Sequence, residues 1–405
     1  MTTSNNLDGD PHPFETAIIE PQKKVDPLLT PIIRFLPESD ELLSSWLFRL
    51  AWMNAEKIHT FRKRCWNKTG SPWSRNINLP VDIQFFQNIT NLAQTSCERL
   101  YPHTLLGLEG ILFDKVKKSG KVDGILASRH YAYGNNRAHH SLQYCPECIQ
   151  EQTPVHFKRT SMITYLVGCP KHRSVYRDTC YKCGHPVKIH LSDSGQKYIP
   201  RVNPVSFCHY CGSLWGQAPK QELPELSDEF WSLQGKIQET LHTNWLQISD
   251  GEQLYALSFF NGLRHIIRYI MNNTYTASLR EVIAKELGIL PLGFVQNGYQ
   301  GRMDSLSIGD RITIMQYVSW LLSEWPSRFN WALKKSGISY SYLCTYRDEL
   351  SYWLAKEIWQ TKDAKHTTIS RDEYQAAGQY LQQCGLDPNR FAINKLLGRW
   401  YTKND

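Results

Sequence analysis

The stretches YCPEC (144–148), GCPKHRSVYRDTCYKCG (168–184) and CHYCG (208–212) decide the reading of this chain. They hold seven cysteines and one histidine as four pairs, each enclosing two residues: Cys145/Cys148, Cys169/His172, Cys180/Cys183 and Cys208/Cys211. A two-residue gap lets a tight turn aim two side chains at one ion, about 2.3 Å from each sulfur, so each pair is half of a tetrahedral Zn2+ site. Pro146 and Pro170 follow the first ligand of their pairs, and Gly184 and Gly212 follow the last ligand of theirs, residue types suited to such turns. Eight ligands make two ions. Pairing in sequence order gives Cys145/Cys148/Cys169/His172 and Cys180/Cys183/Cys208/Cys211. The alternative is a cross-braced order, as in a RING-like ubiquitin ligase, which usually has fewer than the seven residues found between His172 and Cys180. With four protein ligands on each ion no position is left for water, which marks structural rather than catalytic zinc. A nucleobase deaminase would need H-x-E upstream of P-C-x-x-C, and neither HFK at His156 nor YCPEC supplies it.

Composition sets the frame around this module. A chain of 405 residues, 41% hydrophobic and 21% charged, is long enough for two or three domains with their own cores, and 13 Trp and 21 Tyr suggest cores and contact surfaces built on large rings. The longest apolar stretch, Tyr255–Met271, is broken by Arg264, His265 and Arg268, so no membrane span or membrane partner is expected. MTTSNNLDGD at the start has neither a basic nor an apolar signal region, which predicts a cytoplasmic protein. Eleven cysteines in such a chain argue for metal rather than disulfides, and Cys65, Cys97, Cys344 and Cys384, which lack paired spacing, are expected to be buried free thiols. The net charge of +8 fits a phosphate-rich partner. Within the zinc module nine Lys and Arg face four acids, but the bound thiolates reduce that excess to about +2. Lys158, Arg159, Lys171 and Arg173 are the candidate phosphate contacts there, against a role in facing thiolates.

The flanking segments read as helical. Residues 1–33, with five prolines, are expected to be a flexible arm. Ser39 is expected to cap a helix with Asp40 and Glu41 in its first turn and Leu43, Trp46, Leu47, Leu50 and Met53 on one face. Helices follow at Glu56–Trp66, carrying Arg62, Lys63 and Arg64, and at Asp82–Ala93. Gln94–Ser96 then reads as the turn of a helix-turn-helix with Ser96 as cap. Beyond Pro219 the chain looks helical almost throughout. Ser278/Glu281 and Ser370/Glu373 form capping boxes for helices that Gly288 and Gly385 end. Asp387-Pro388 opens a last helix before Leu397 and Gly398, making a second helix-turn-helix candidate with Asn389, Arg390, Asn394, Lys395 and Arg399 on or near it as nucleic-acid contacts. The expected fold is mainly α with small zinc-ribbon-like β hairpins, divided into 1–33, a helix-turn-helix-like domain at 34–140, a tandem zinc-binding module at 141–216 and a C-terminal helical domain at 217–405. No G-x-x-x-x-G-K-[ST] loop, G-x-S-x-G elbow or H-E-x-x-H helix occurs.

The helix PESDELLSSWLFRLAWMN (37–54) followed in order by YCPEC, GCPKHRSVYRDTCYKCG and CHYCG resembles the TniQ/TnsD family of target-selection proteins of Tn7-like transposons. The resemblance covers about residues 34–216 and extends more faintly to EWPSRF (324–329) and the terminal helices. It implies a non-enzymatic bacterial adaptor acting at the nucleoid, which marks an insertion site in target DNA by recruiting an AAA+ transposition regulator (TnsC-like). One branch of the family binds an RNA-guided CRISPR effector, Cascade with its guide RNA. The other, TnsD-like, reads a chromosomal attachment site directly. The length and modest charge of this chain lean towards the Cascade branch, and homodimerisation is compatible with either.

Overall fold

The computed structural model describes residues 33–61, 76–80, 83–116, 122–126, 142–195, 197–221, 226–249, 252–293, 302–304, 306–344, 350–360 and 371–396. Most of the anticipated N-terminal arm, Arg62, Lys63, Arg64, Cys65, Ser370, Leu397, Gly398 and Arg399 lie outside the described residues. Among the described residues the fold is mainly helical with two small antiparallel hairpins, and no helix is long and apolar enough to cross a membrane.

The first helix, α1 (Leu43–Met53), buries Leu43, Trp46, Leu47 and Leu50 completely, as their spacing requires. Its start differs from expectation. Ser39 does not cap it: the N-cap is Leu42, with no side-chain hydrogen bond, and Asp40 and Glu41 precede the helix. Glu41 is wholly buried, accepting from the Ser45 hydroxyl at 2.9 Å and pairing with Arg49 at 2.5 Å, while its backbone bridges Lys158. Backbone bonds from the Leu42 amide to Phe157 and from the Arg159 amide to Asp40 hold residues 40–42, three that local capping rules assign to helix, against 157–159 instead. After α2 (Ile83–Ala93), Gln94 turns the chain at φ 50° and Ser96 caps α3 (Cys97–Leu100) through the Arg99 amide at 3.4 Å. The turn and cap are as expected, but α3 is a single turn. Pro102 cannot donate to the carbonyl of Glu98, and the chain continues as 3-10 turns at Tyr101–His103 and Leu105–Leu108.

The zinc module contributes α4 (Pro146–Glu151) and a hairpin of β1 (Gly168–Cys169) and β2 (Ser174–Val175), with Cys169 opposite Ser174. Beyond it, α5 (Asp228–Thr243) is capped by Ser227 and closed by Asn244 at φ 66°. A second hairpin then pairs β3 (Trp245–Ser249) with β4 (Glu252–Tyr255), where helix was anticipated. Helices α6 (Ala256–Met271), α7 (Ala277–Leu287), α8 (Ile308–Ser323), α9 (Ser327–Ser336), α10 (Tyr340–Leu343) and α11 (Tyr352–Gln360) follow. Gly288 ends α7 at φ 65° as expected, but Ser278 is no cap: its hydroxyl donates to the Ser336 carbonyl at 2.9 Å and so ties α7 to α9. The last pair is α12 (Arg371–Gln383) and α13 (Arg390–Leu396), packed through Ala377, Leu381 and Ile393. Asn389, not Asp387, caps α13, accepting from the Ala392 amide at 2.9 Å.

One continuous core runs from Leu42 to Ile358, so side chains from the N-terminal helices, the zinc module and the C-terminal helices pack together. Helix α6 is central to its C-terminal part, where Gly262 lets the Trp353 indole lie on the helix backbone. A Cβ at 262 would stand 2.3 Å from that ring. Gly262→Ala is therefore expected to cost about 1–3 kcal/mol through overpacking, read as a lower urea midpoint with unchanged slope. An unchanged midpoint would contradict this packing.

Candidate metal centre

Each ligand pair sits on a turn that local chemistry dictates. Cys145 is the N-cap of α4, with Pro146 in the first turn, where its missing N–H leaves no bond unmade, and Cys148 lies one turn on. Cys169 ends β1 and His172 lies in the turn to β2. The second site consists of two matching knuckles. In one, the Gly184 amide donates to the Cys180 carbonyl and the Cys180 amide to the His185 carbonyl. In the other, Gly212 donates to Cys208 and Cys208 to Ser213, all at 2.8 to 2.9 Å. Gly184 and Gly212 adopt φ of 72° and 74°, the left-handed corner that glycine enters freely. Arg173 holds the equivalent place after His172, at φ 46°.

The eight side chains fall into two groups, Cys145/Cys148/Cys169/His172 and Cys180/Cys183/Cys208/Cys211, with the ligand atoms of each group within 4.8 Å of one another. The order is sequential. The cross-braced alternative does not occur, and the RING-like reading falls with it. A tetrahedron of sulfur at about 2.3 Å and nitrogen at about 2.0 Å has edges of about 3.8 Å between sulfurs and about 3.5 Å between sulfur and nitrogen. The first group places His172 Nδ1 at 3.3, 3.4 and 3.5 Å from the sulfurs of Cys145, Cys148 and Cys169, and Cys148 at 3.6 Å from Cys169. In the second, Cys180–Cys211 is 3.6 Å and Cys183–Cys208 is 3.7 Å. Donor types and spacings both fit Zn2+. Burial pushes the free Cys208 thiol up to about 12, whereas the hydrogen bond with Ser213 brings Cys211 down to about 6. A bound cation would settle both as thiolates.

His172 turns Nδ1 to the sulfurs and leaves Nε2 3.0 Å from a Glu151 carboxylate oxygen. That carboxylate also pairs with Lys171, and Lys171 first, then His172, hold it below the usual carboxylate range. Such a carboxylate fixes the ring's tautomer and orientation and strengthens it as a ligand. Glu151→Ala is expected to weaken zinc at the first site about 10- to 100-fold in competition with a chromophoric chelator, with two ions still bound at excess zinc. Equal retention by both chains would show that Glu151 has no such role.

The candidate phosphate contacts are mostly engaged within the chain. Arg159 pairs with Asp40 at 2.8 Å with both side chains largely buried, Lys171 with Glu151, and Arg173 with Asp228 while lying 6.0 Å over the Trp231 ring. Lys158 is half-buried, and its charge favours the thiolate of Cys148. Asn389 serves as a cap and Arg390 is exposed, whereas the side chains of Asn394 and Lys395 lie outside the described residues.

Helices on both sides grip the module. From the N-terminal side the Leu42 amide donates to the Phe157 carbonyl at 2.8 Å, Phe157 donates back to Ser45 at 3.0 Å, and the Trp52 indole donates to the Pro200 carbonyl at 2.8 Å. From the C-terminal side Gln234 of α5 accepts from the amides of Val167 and Gly168 at 2.8 and 3.2 Å. Arg311 of α8 is completely buried, donating to Gln143 at 2.9 Å and pairing with Asp178 at 3.4 Å, and burial lowers its guanidinium to about 10. Gln143 and Asp178 each stand two residues before the first cysteine of a site, Cys145 and Cys180. Sequence reasoning missed these partners. Glu151 had a signal, lying three residues past Cys148 on the same helix, while nothing in RITIMQYV singles out a buried Arg311.

Fold and site together define a helical protein organised round two four-ligand clusters whose donors and spacings fit zinc. The family model TniQ matches residues 32–175. That stretch runs from just before α1 through β2, taking in all of the first cluster and none of the second, and the match supports the TniQ family for this part of the chain. No curated protein matches the chain.

Proposed function

We propose that this protein is a non-catalytic target-selection adaptor of a Tn7-like, CRISPR-associated transposon, linking Cascade and its guide RNA on target DNA to a TnsC-like AAA+ regulator. The observation that carries the reading is the TniQ match over residues 32–175. The structure supports it in two ways. Both metal clusters have four protein ligands, so they suit scaffolding rather than chemistry. Arg159, Lys171 and Arg173, which a direct DNA reader would offer to phosphate, are paired with carboxylates of the same chain. A DNA-reading, TnsD-like role would need other cations.

Co-expression of the tagged chain with Cascade proteins and guide RNA tests this. The expected result is stoichiometric copurification, and retention of the AAA+ regulator once target DNA is added. Tight, sequence-specific shift of an attachment-site duplex by the chain alone, without copurification, would replace the adaptor reading with the TnsD-like one.

A further inference from the structure

Tyr210 occupies the middle of the Cys208–Cys211 knuckle and is 67% exposed. The His185 ring, carried by the facing knuckle, lies parallel to it at a centroid distance of 3.7 Å and an interplanar angle of 13°. One face of the phenol is therefore covered by the imidazole, and its exposure falls on the opposite face and the edges. A zinc cluster needs neither ring. Both are held still: His185 by the bond its carbonyl accepts from the Cys180 amide, and Tyr210 between two candidate ligands of one ion. A flat ring with two rotatable bonds on a rigid turn loses little freedom when a second flat group stacks on it.

The surrounding charge has one sign. Between Cys180 and Ser213 the cations are Lys182, Lys188, Lys197 and Arg201, and the one acid is Asp193. Asp193 is buried and accepts from the Ile58 amide at 2.6 Å, so it does not face outward. Lys182 is exposed beside Cys183, and Lys188 is half-buried three residues past His185. Even after subtracting about two charges for the four-thiolate cluster, the segment between Cys180 and Ser213 stays positive. An exposed ring face on a rigid turn in a lysine-bearing segment whose one acid is buried is the arrangement that holds unpaired bases by stacking and phosphates by charge. A protein partner of ordinary composition would be expected to meet carboxylates at the rim as well.

The geometry points to the Tyr210–His185 stack as a platform for one unpaired nucleobase, with Lys182 and Lys188, on the segment that carries His185, for the adjoining phosphates, so that the second knuckle binds single-stranded nucleic acid. This surface is separate from Lys158, Arg159, Lys171 and Arg173, and it does not depend on the adaptor reading. A chain with no part in transposition would still show it.

The test uses the full chain with both zinc ions and fluorescein-labelled oligo-dT, oligo-U and a mixed-sequence duplex, followed by anisotropy at about 0.1 M salt. Tyr210→Ala is expected to weaken binding of the single strands about 5- to 100-fold, with Tyr210→Phe close to the parent and duplex affinity changed less than about twofold. Lys182→Ala is expected to lower the salt slope for single strands by about 0.7. The oligo-dT and oligo-U arms tell which backbone is preferred. Zinc content of two per chain in each variant shows that the knuckle is intact. No binding of either single strand by the parent, equal binding by Tyr210→Ala, or an equal loss on duplex would overturn the proposal. So would a protein captured in a Tyr210-dependent way by a chain that ignores the oligonucleotides.

Discussion

A Cys180→Ser chain is expected to hold one zinc ion where the parent holds two, and to melt far below it. Cys180 is buried, its sulfur 3.6 Å from that of Cys211, and it also anchors the first knuckle by two backbone hydrogen bonds. A serine hydroxyl keeps the size but not the soft anionic donor, so the cluster drops to three ligands. Structural zinc contributes on the order of 10 kcal/mol to small folds that depend on it. That is comparable to the whole stability of a typical domain. The effect should spread, because Val187, Ile189, Val205 and Trp215, between and beside the knuckles, are buried in the same continuous core as α1. Cys211→Ser should behave alike despite its greater exposure, whereas Cys384→Ser, at an exposed cysteine outside both clusters, should change neither zinc content nor melting. Atomic absorption and thermal melts of the three variants check this. Unchanged zinc and melting temperature in Cys180→Ser would remove the second site.

Those ligands could be read from the sequence because a zinc half-site is a local object. Two donors and a turn fit into four residues, and Gly184 and Gly212 mark the corner that the turn demands. The helices α1 and α2 were legible for a similar reason, since periodic burial is written along one segment. Helix starts were less so. Ser39 and Ser278 have the right residue types at the right spacing, yet the pairing of residues 40–42 with 157–159 and the Ser336 carbonyl offer tertiary bonds that displace the local cap. The second hairpin had a sequence signal that helical reading overrode: WLQIS and EQLY flank Asp250-Gly251, a favoured two-residue hairpin turn. Nothing local encodes the contacts between segments, such as the Gln234 bonds to β1 or the Arg311 cluster. They join residues more than 60 positions apart, and their polar side chains look like surface until the fold closes over them.

Arg311→Ala should then be the most damaging substitution outside the metal ligands. The side chain is completely buried, and among the described residues its guanidinium bonds Gln143 and Asp178, the two residues that lead into the metal clusters. Removing it leaves the Asp178 carboxylate, itself buried, without that counter-charge, and leaves a cavity the size of a long side chain. Breaking a buried pair from one side costs about 3–5 kcal/mol. Most of that is the penalty of the stranded charge rather than the worth of the pair, and this gives the test its discriminating arm. Arg311→Met combined with Asp178→Asn fills the space and neutralises the partner, so it should recover more than half of the loss measured for Arg311→Ala by urea unfolding. If the double variant is no better than Arg311→Ala, neither the uncompensated charge nor lost packing explains the loss, and the specific bonds to Gln143 and Asp178 carry it. If Arg311→Ala itself unfolds at the parent's midpoint, α8 does not clamp the zinc module. Zinc content separates this defect from a metal defect. Among the described residues the bonds of Arg311 go to Gln143 and Asp178 and not to a ligand, so at temperatures where the variant is folded both ions should stay bound, and the loss should appear in the cooperativity between the C-terminal helices and the module.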